Sequence, residues 1–351
     1  MIRHHPLREL LTSRLREFFR EPEAIFWVYG FPVLLAIGLG IAFREKPPDQ
    51  VRVDVIAASQ PAAGESGAAT MRSTLAAQAG FLVEIHTEQE SAARLRMGRS
   101  DIAVVPGEAF QYIYDRTRPE SVLARARVDD ALQRAAGRAD PVSSSDKPVT
   151  QPGSRYIDFL IPGLLGMNLM GGGLWGIGFV TVDMRVRKLL KRLVATPMKK
   201  THFLVAMVGS RMIFGLPEII LLLSAGWLLF EVAVRGSLLA VLFISMLGAV
   251  SFSGLGLLVA CRAQKIETVS GLMNLVMLPM WLLSGIFFSS ERFPTAAQPF
   301  IQALPLTMLN ESLRAVILEG ATLMSQGARL VGLAAWGGIS FALALRWFRW
   351  S

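Results

Sequence analysis

Two groups of residues in this sequence have types and spacing that suggest chemistry, and neither has the make-up of a catalytic site. The first is the segment RKLLKRLVATPMKK, where Arg187, Lys188, Lys191, Arg192, Lys199 and Lys200 crowd between two long apolar stretches. Read as a helix, LLKRLVA is short and amphipathic, and Thr196-Pro197 stops it. A basic amphipathic element of this kind rests on anionic lipid or docks into a groove on a soluble partner. The second group is Glu218 with Arg211, set inside an apolar stretch where a bare carboxylate is expensive. Seven residues apart, they share a similar helix face but sit two turns from each other, a spacing predicted to exceed an easy contact in one straight helix. Glu218 then reads either as a polar group lining a pathway or gate, or as a protonated or hydrogen-bonded packing carboxyl.

Other chemistry is missing from the sequence. It holds no G-x-x-x-x-G-K-[ST] loop for ATP, no H-E-x-x-H and no G-x-S-x-G. GGGLWGIG at 171–178 is glycine-rich, but it lies in an apolar stretch with no lysine after it, so its small residues are read as allowing close helix packing. The lone Cys261 excludes an internal disulfide and a thiolate metal cluster, and His4, His5, His86 and His202 are scattered. Asp183 reads as an interface charge or a partner for its basic neighbours. Asn310-Glu311-Ser312 matches a glycosylation acceptor, a pattern short enough to occur by chance.

The elements that position these residues are membrane helices. A chain that is 52% hydrophobic and 18% charged, with mean hydropathy +0.44, lies well on the apolar side of soluble proteins. Apolar runs of about 20 residues cross a hydrocarbon core of about 30 Å as helices. Such runs fall at 24–43, 157–182, 206–230, 236–260, 269–289 and 327–345. The first lacks an A-x-A cleavage site and follows an Arg-rich helix, so it reads as a retained anchor. Residues 1–23 place Leu7, Leu11, Leu15, Phe18 and Phe19 at helical spacing with arginines between them, as an interfacial helix on the inner leaflet does.

The net charge of +9 is concentrated beside the apolar runs, which argues for orientation and against nucleic acid. Arg3, Arg8, Arg14, Arg16 and Arg20 precede the first span, Arg262 and Lys265 lie between the fourth and fifth, and Arg346 and Arg349 close the chain. The two later alternate loops carry only Arg235, and Arg292 with Arg314. The positive-inside rule then puts both termini and the loop at 184–202 in the cytoplasm, and a segment at 290–326 outside.

Residues 44–155 have the composition of a water-soluble domain, expected outside the cytoplasm. VRVDVIAAS, FLVEIHT and DIAVVPGE read as strands; AATMRSTLAAQAG, ESAARLRMGR and VLARARVDDALQRAAG read as helices. The alternation predicts a small α/β domain, followed by the Pro/Ser linker ADPVSSSDKPVTQPGS. The fold class is therefore an α-helical polytopic membrane protein of six spans, with an extracytoplasmic α/β domain inserted between helices 1 and 2.

LVATPM at 193–198, WLLSGIFFSSERFP at 281–294 and ALPLTMLNESLRAVILEG at 303–320 resemble segments of the permease subunits of type 2 ATP-binding cassette exporters. REPEAIFWVYGFP at 20–32 and YIDFLIPGLLG at 156–166 are similar to that family's entries into its first two spans. ESAARLRMGRSDIAVVPGE and IYDRTRP resemble the outer domain of the branch with a large loop there. The resemblance implies a permease without an engine of its own, driven by a separate cytoplasmic ATPase in two copies that carries the ATP and Mg. It also implies a second permease subunit, a bacterial inner-membrane location and a coupling loop at 184–202. In that loop Leu190, Leu193, Val194 and Met198 would supply apolar contact around Thr196-Pro197, and Arg187, Lys191, Arg192, Lys199 and Lys200 polar contact. Family members often have E-x-E-x-G-T ahead of the Thr-Pro, where this chain has Met184, Val186, Lys188 and Leu189, so the acidic contacts do not carry over.

Two other classes compete. A membrane sensor or scaffold would bind a ligand with the outer domain, and an ion-driven transporter would use Glu218 as its coupling carboxylate. The cargo is not written in the residues, beyond the apolar spans suiting a drug- or lipid-like molecule. Whether the outer domain binds cargo or docks a periplasmic adaptor is equally open.

Overall fold

A computed structural model describes residues 6–43, 50–57, 64–107, 109–139, 155–196 and 200–348. The chain divides into two units, one of residues 1–44 with 149–351 and one of residues 45–148.

Helix α1, Pro6–Phe19, carries the amphipathic pattern expected of the N-terminal segment. Pro22 opens the first span, α2, Pro22–Ala42, since a proline costs nothing in a first turn whose N–H groups have no helical partner. Phe26–Gly30 within it is wound as a wider π-helical turn.

In the inserted unit, β1 (Val51–Ile56), α3 (Gly64–Ala76), β2 (Phe81–His86), α4 (Glu88–Arg96), β3 (Ile102–Val105), β4 (Gln111–Ile113) and α5 (Pro119–Ala135) follow in order. The sheet order is β2-β1-β3-β4, with β1 parallel to β2 and β3, and β4 antiparallel to β3. The three strands and three helices read from the sequence are present. The fourth strand is additional: three residues long and partly polar, it has no apolar alternation to announce it. Val51, Val53 and Val55 of β1 are buried with Met71 and Leu75 of α3 and Val128 of α5. The intervening Asp54 faces the opposite side, as alternation requires, and there accepts from Arg94 Nε of α4 at 3.1 Å. Thr87 caps α4 in a reciprocal box with Glu90.

The membrane unit resumes with α6 (Tyr156–Val186), α7 (Leu189–Val194), α8 (Lys200–Phe230), α9 (Leu238–Ala260) and α10 (Ile266–Leu283). It ends with α11 (Gln298–Ala303), α12 (Pro305–Glu319) and α13 (Gly327–Trp347). Among the described residues, six helices are long and apolar enough to cross a membrane, at the places the apolar runs predict. Helices α6 and α9 form the centre, with 72% and 61% of their apolar windows buried, against 17% for α2. They approach closely because glycines face each other: a Cβ on Gly173 would lie 2.5 Å from Phe252 Cβ, and one on Gly178 2.6 Å from Gly256 O. Close packing is what the glycine-rich stretch predicts.

Residues 290–326, read from sequence as an outer segment, contain α12, which packs into the core through Leu306, Leu309, Leu313, Val316 and Ile317. Its polar residues hid it from a search for apolar runs, yet Asn310, Ser312 and Arg314 each donate to a backbone carbonyl. Asn310 Nδ2 donates to Ser284 O at 3.0 Å, and Arg314 donates to Gly285 O and to Phe159 O. Asn310 is fully buried, in keeping with a chance match to the glycosylation pattern. Gly285, with φ 69°, turns the chain so that these carbonyls face α12. The Ser-Gly and Leu-Arg pairs that carried the family resemblance are thus two halves of one contact.

Candidate coupling surface and transport cavity

The basic loop is keyed into the membrane unit. Helix α6 ends at Val186, Lys188 adopts a left-handed conformation with φ 61°, and α7 begins at Leu189. A left-handed residue with a side chain costs about 1–2 kcal/mol. The turn rotates α7 so that Leu190 is fully buried among Ile177 of α6, Phe203, Leu204 and Met207 of α8, Leu257 of α9 and Ala344 of α13. Leu193 packs half-buried on the same cluster. Leu190 therefore faces the chain's own core, which corrects its expected place on a partner-facing surface. Arg187, Lys188, Lys191, Arg192 and Thr196 are exposed. Arg187 pairs with Asp183 at 2.9 Å, one helical turn back. Pro197, Met198 and Lys199, and the side chains of Val194 and Lys200, lie outside the described residues.

Charge counting alone could not single out Arg185. Only 8% exposed, it donates from Nη1 to Ala260 O at 2.9 Å and to Ala263 O, and from Nη2 to Cys261 O at 3.2 Å. The carbonyls of Ala260 and Cys261 end α9, where the helix dipole is negative, so a cation is favourable there, and that of Ala263 follows in the connection to α10. Its guanidinium also lies 5.3 Å from the Phe348 ring centroid.

Helix α1 runs beside the loop. Glu9, Ser13 and Arg16 of α1 and Arg192, Leu193 and Thr196 of the loop line a groove of about 850 Å³. A second cavity, also about 850 Å³, lies among α1, α2, α6, α8 and α10. Its rings are Phe18, Trp27, Phe31, Trp175, Phe179, Phe214 and Trp281. Arg14, Glu17, Glu21, Asp183 and Arg187 line both spaces and form a polar junction between them. Two π-helical turns border the cavity, Phe26–Gly30 and Leu174–Phe179. Such turns displace backbone groups from the regular ladder, and the carbonyl of Val28 is taken by Asn168 Nδ2 at 2.9 Å. Gly171 and Gly176 face open space on this wall, while Gly172 leaves the room that the Arg211 guanidinium occupies.

Arg211 and Glu218 do meet, contrary to the expectation from their spacing. Arg211 Nη2 donates to Glu218 Oε2 at 2.7 Å, and the two side chains are 5% and 1% exposed. The contact forms because side chains lean toward the helix N-terminus, which brings the Glu218 carboxylate back toward Arg211, whose own long side chain covers the remaining distance. Around the pair, Tyr29 Oη donates to Phe214 O at 3.1 Å, and the Phe18 ring stacks on Phe214 with centroids 4.2 Å apart.

In the inserted unit, carboxylate oxygens of Asp54 and Glu84 and a ring nitrogen of His86 come within 4.8 Å of one another, a cluster that sequence spacing does not show. Arg94 already supplies its positive charge, 3.1 Å from Asp54 and 2.6 Å from Glu84. The hydrogen bond between Glu84 and His86, and then the charge of Arg94, hold the Glu84 carboxyl below its ordinary value.

Known proteins match this sequence along nearly its whole length. The model of a family described as ABC-2 family transporter protein matches residues 22–346. The chain belongs to the ABC-2 transporter family. A protein described as probable multidrug ABC transporter permease YbhS, from Escherichia coli K12, is 21% identical over 338 residues, covering 90% of this chain and 89% of the relative. Its counterpart in Escherichia coli O157:H7 matches to the same extent. With its six membrane-length helices, this ABC-2 chain is a multi-pass transporter permease.

Proposed function

We propose that this permease is the membrane-spanning subunit of an exporter whose engine is a separate cytoplasmic ATPase docking on the loop at 184–202. Both termini and that loop face the cytoplasm of a bacterial inner membrane, and the α/β unit lies outside, as in the branch with a large domain between the first two spans. One chain with one loop is half of a two-fold assembly, so two permease subunits, identical or different, work with two ATPase copies that bind ATP and Mg. The cargo is a hydrophobic or amphipathic molecule, drug- or lipid-like, taken from the cytoplasm or the inner leaflet. The ring-lined cavity with its polar junction supports that class, as does the multidrug description of the relative. The outer unit binds cargo or docks a periplasmic adaptor.

The observation that carries the docking assignment is the two-sidedness of α7. Leu190 and Leu193 hold it to the membrane helices, while Lys191 and Arg192 stand exposed beside the α1 groove. A rigid basic ridge next to a groove suits an acidic protein surface. The ion-driven reading draws less support, since Arg211 already neutralises Glu218 within the chain.

The test reverses the exposed charge and leaves the buried leucines alone. Lys191→Glu/Arg192→Glu is expected to reach the membrane at the wild-type level and to retain about tenfold less ATPase on purification, equivalent to about 1.4 kcal/mol of lost affinity. Wild-type retention by this variant would contradict docking on α7.

A further inference from the structure

We infer that Arg185 and Leu190 bind the coupling loop to the cytoplasmic ends of spans two, three, four and six so firmly that these move as one body, leaving spans one and five as the elements against which it moves. The inference rests on the permease reading above and goes beyond it by naming what the loop carries with it.

Three observations support it. Arg185, at the root of the loop, is donor to Ala260, Cys261 and Ala263, residues 75 to 78 positions away, which fastens the end of span two to the end of span four. Leu190, at the middle of the loop, is enclosed by side chains from spans two, three, four and six. The C-terminal Phe348 packs on that same cluster and under the Arg185 guanidinium, which brings the end of span six into the joint. Among the described residues, no member of this joint comes from α2 or α10. Packed interiors transmit displacement rather than absorb it. A push on α7 therefore travels through Arg185 and Leu190 into four helices at once. The cavity lies across the boundary, with α6 and α8 on one side and α2 and α10 on the other, so its width changes as the body moves.

Arg185 is a positioning residue on this account: it touches no cargo and acts through the carbonyls it holds. Lysine keeps the charge but loses the planar fork that serves several acceptors together.

The experiment places spin-label pairs on the full-length permease in a Cys261→Ser background, with labelled chains diluted into unlabelled ones so that only distances within one chain are read. One pair, Val186→Cys with Leu345→Cys, both exposed, lies within the body; the other, Val186→Cys with Leu275→Cys, spans the boundary. In the complex with its ATPase, the first distance is expected to stay a single narrow peak with and without ATP and Mg, while the second shifts. A shift in the first pair on ATP addition would overturn the inference and leave the permease reading intact. Failure of both distances to respond would overturn both. Arg185→Gln is expected to broaden the first peak even without ATP, and Arg185→Lys to narrow it part of the way back. An Arg185→Gln variant that keeps the narrow peak would remove Arg185 from the joint, and the wild-type comparison stands whether or not that variant folds.

Discussion

Arg211 and Glu218 form an ion pair of 2.7 Å between positions seven residues apart on one membrane helix, both of them almost fully buried. Removing one partner strands the other charge away from water, which costs about 3–5 kcal/mol, whereas replacing both by apolar residues of similar size is often neutral or better. Arg211→Met and Glu218→Leu alone are therefore expected to lower the thermal midpoint of the detergent-solubilised protein sharply. The double variant is expected to recover most of the loss. A double variant as unstable as the worse single one would show that the pair does more than neutralise itself.

Lys188 holds a left-handed backbone conformation at the turn before α7. Lys188→Gly is expected to raise stability slightly or leave it unchanged, since the strain relieved, about 1–2 kcal/mol, is set against glycine's greater freedom in the unfolded chain. Lys188→Val is expected to destabilise by more than the strain already present. Thermal unfolding of the three proteins in one detergent checks the order.

Gly173 and Gly176 sit three residues apart on α6 yet meet different surroundings. Gly173→Ala drives a methyl group to 2.5 Å from Phe252 Cβ and is expected to cost about 1–3 kcal/mol. Gly176→Ala meets nothing within 4 Å and is expected to be neutral or mildly stabilising, because alanine favours helix by about 1 kcal/mol over glycine. Thermal midpoints of the two variants beside wild type separate the outcomes.

Glu84 and Glu90 have carboxyls held below their ordinary value of 4.5, Glu84 chiefly by its hydrogen bond to His86 and Glu90 by hydrogen bonds to Thr87. A depressed folded-state value adds stability that is present above the unfolded value and lost as pH falls from there through the folded one. Protection of β2 and α4 against hydrogen exchange, corrected for the intrinsic pH dependence, is expected to fall as pH drops below about 4.5. Glu84→Gln should flatten that fall.

The six spans are legible in the sequence because twenty apolar residues in a row have few other uses, and the inserted unit because its strands and helices alternate in period. Helix α12 is not, since Asn310 and Arg314 interrupt its apolar face. Their partners are backbone carbonyls of residues far away in sequence, Ser284, Gly285 and Phe159. Arg185 looks like one more cation in a basic loop, because sequence gives charge without depth. Leu190 and Leu193 look equally available for docking, and only the turn at Lys188 decides that Leu190 points inward. The meeting of Arg211 with Glu218 depends on the reach of two side chains, which counting helical turns leaves out.

The central claim is that this permease moves cargo only with a separate ATPase. The most direct measurement is to purify the protein from its native membranes in mild detergent, identify what accompanies it by mass spectrometry, and assay ATP hydrolysis. A P-loop protein present in amounts comparable to the permease, with hydrolysis that disappears in Lys191→Glu/Arg192→Glu, is the predicted result. Intact, folded permease that brings no P-loop protein and no hydrolysis with it would contradict the account.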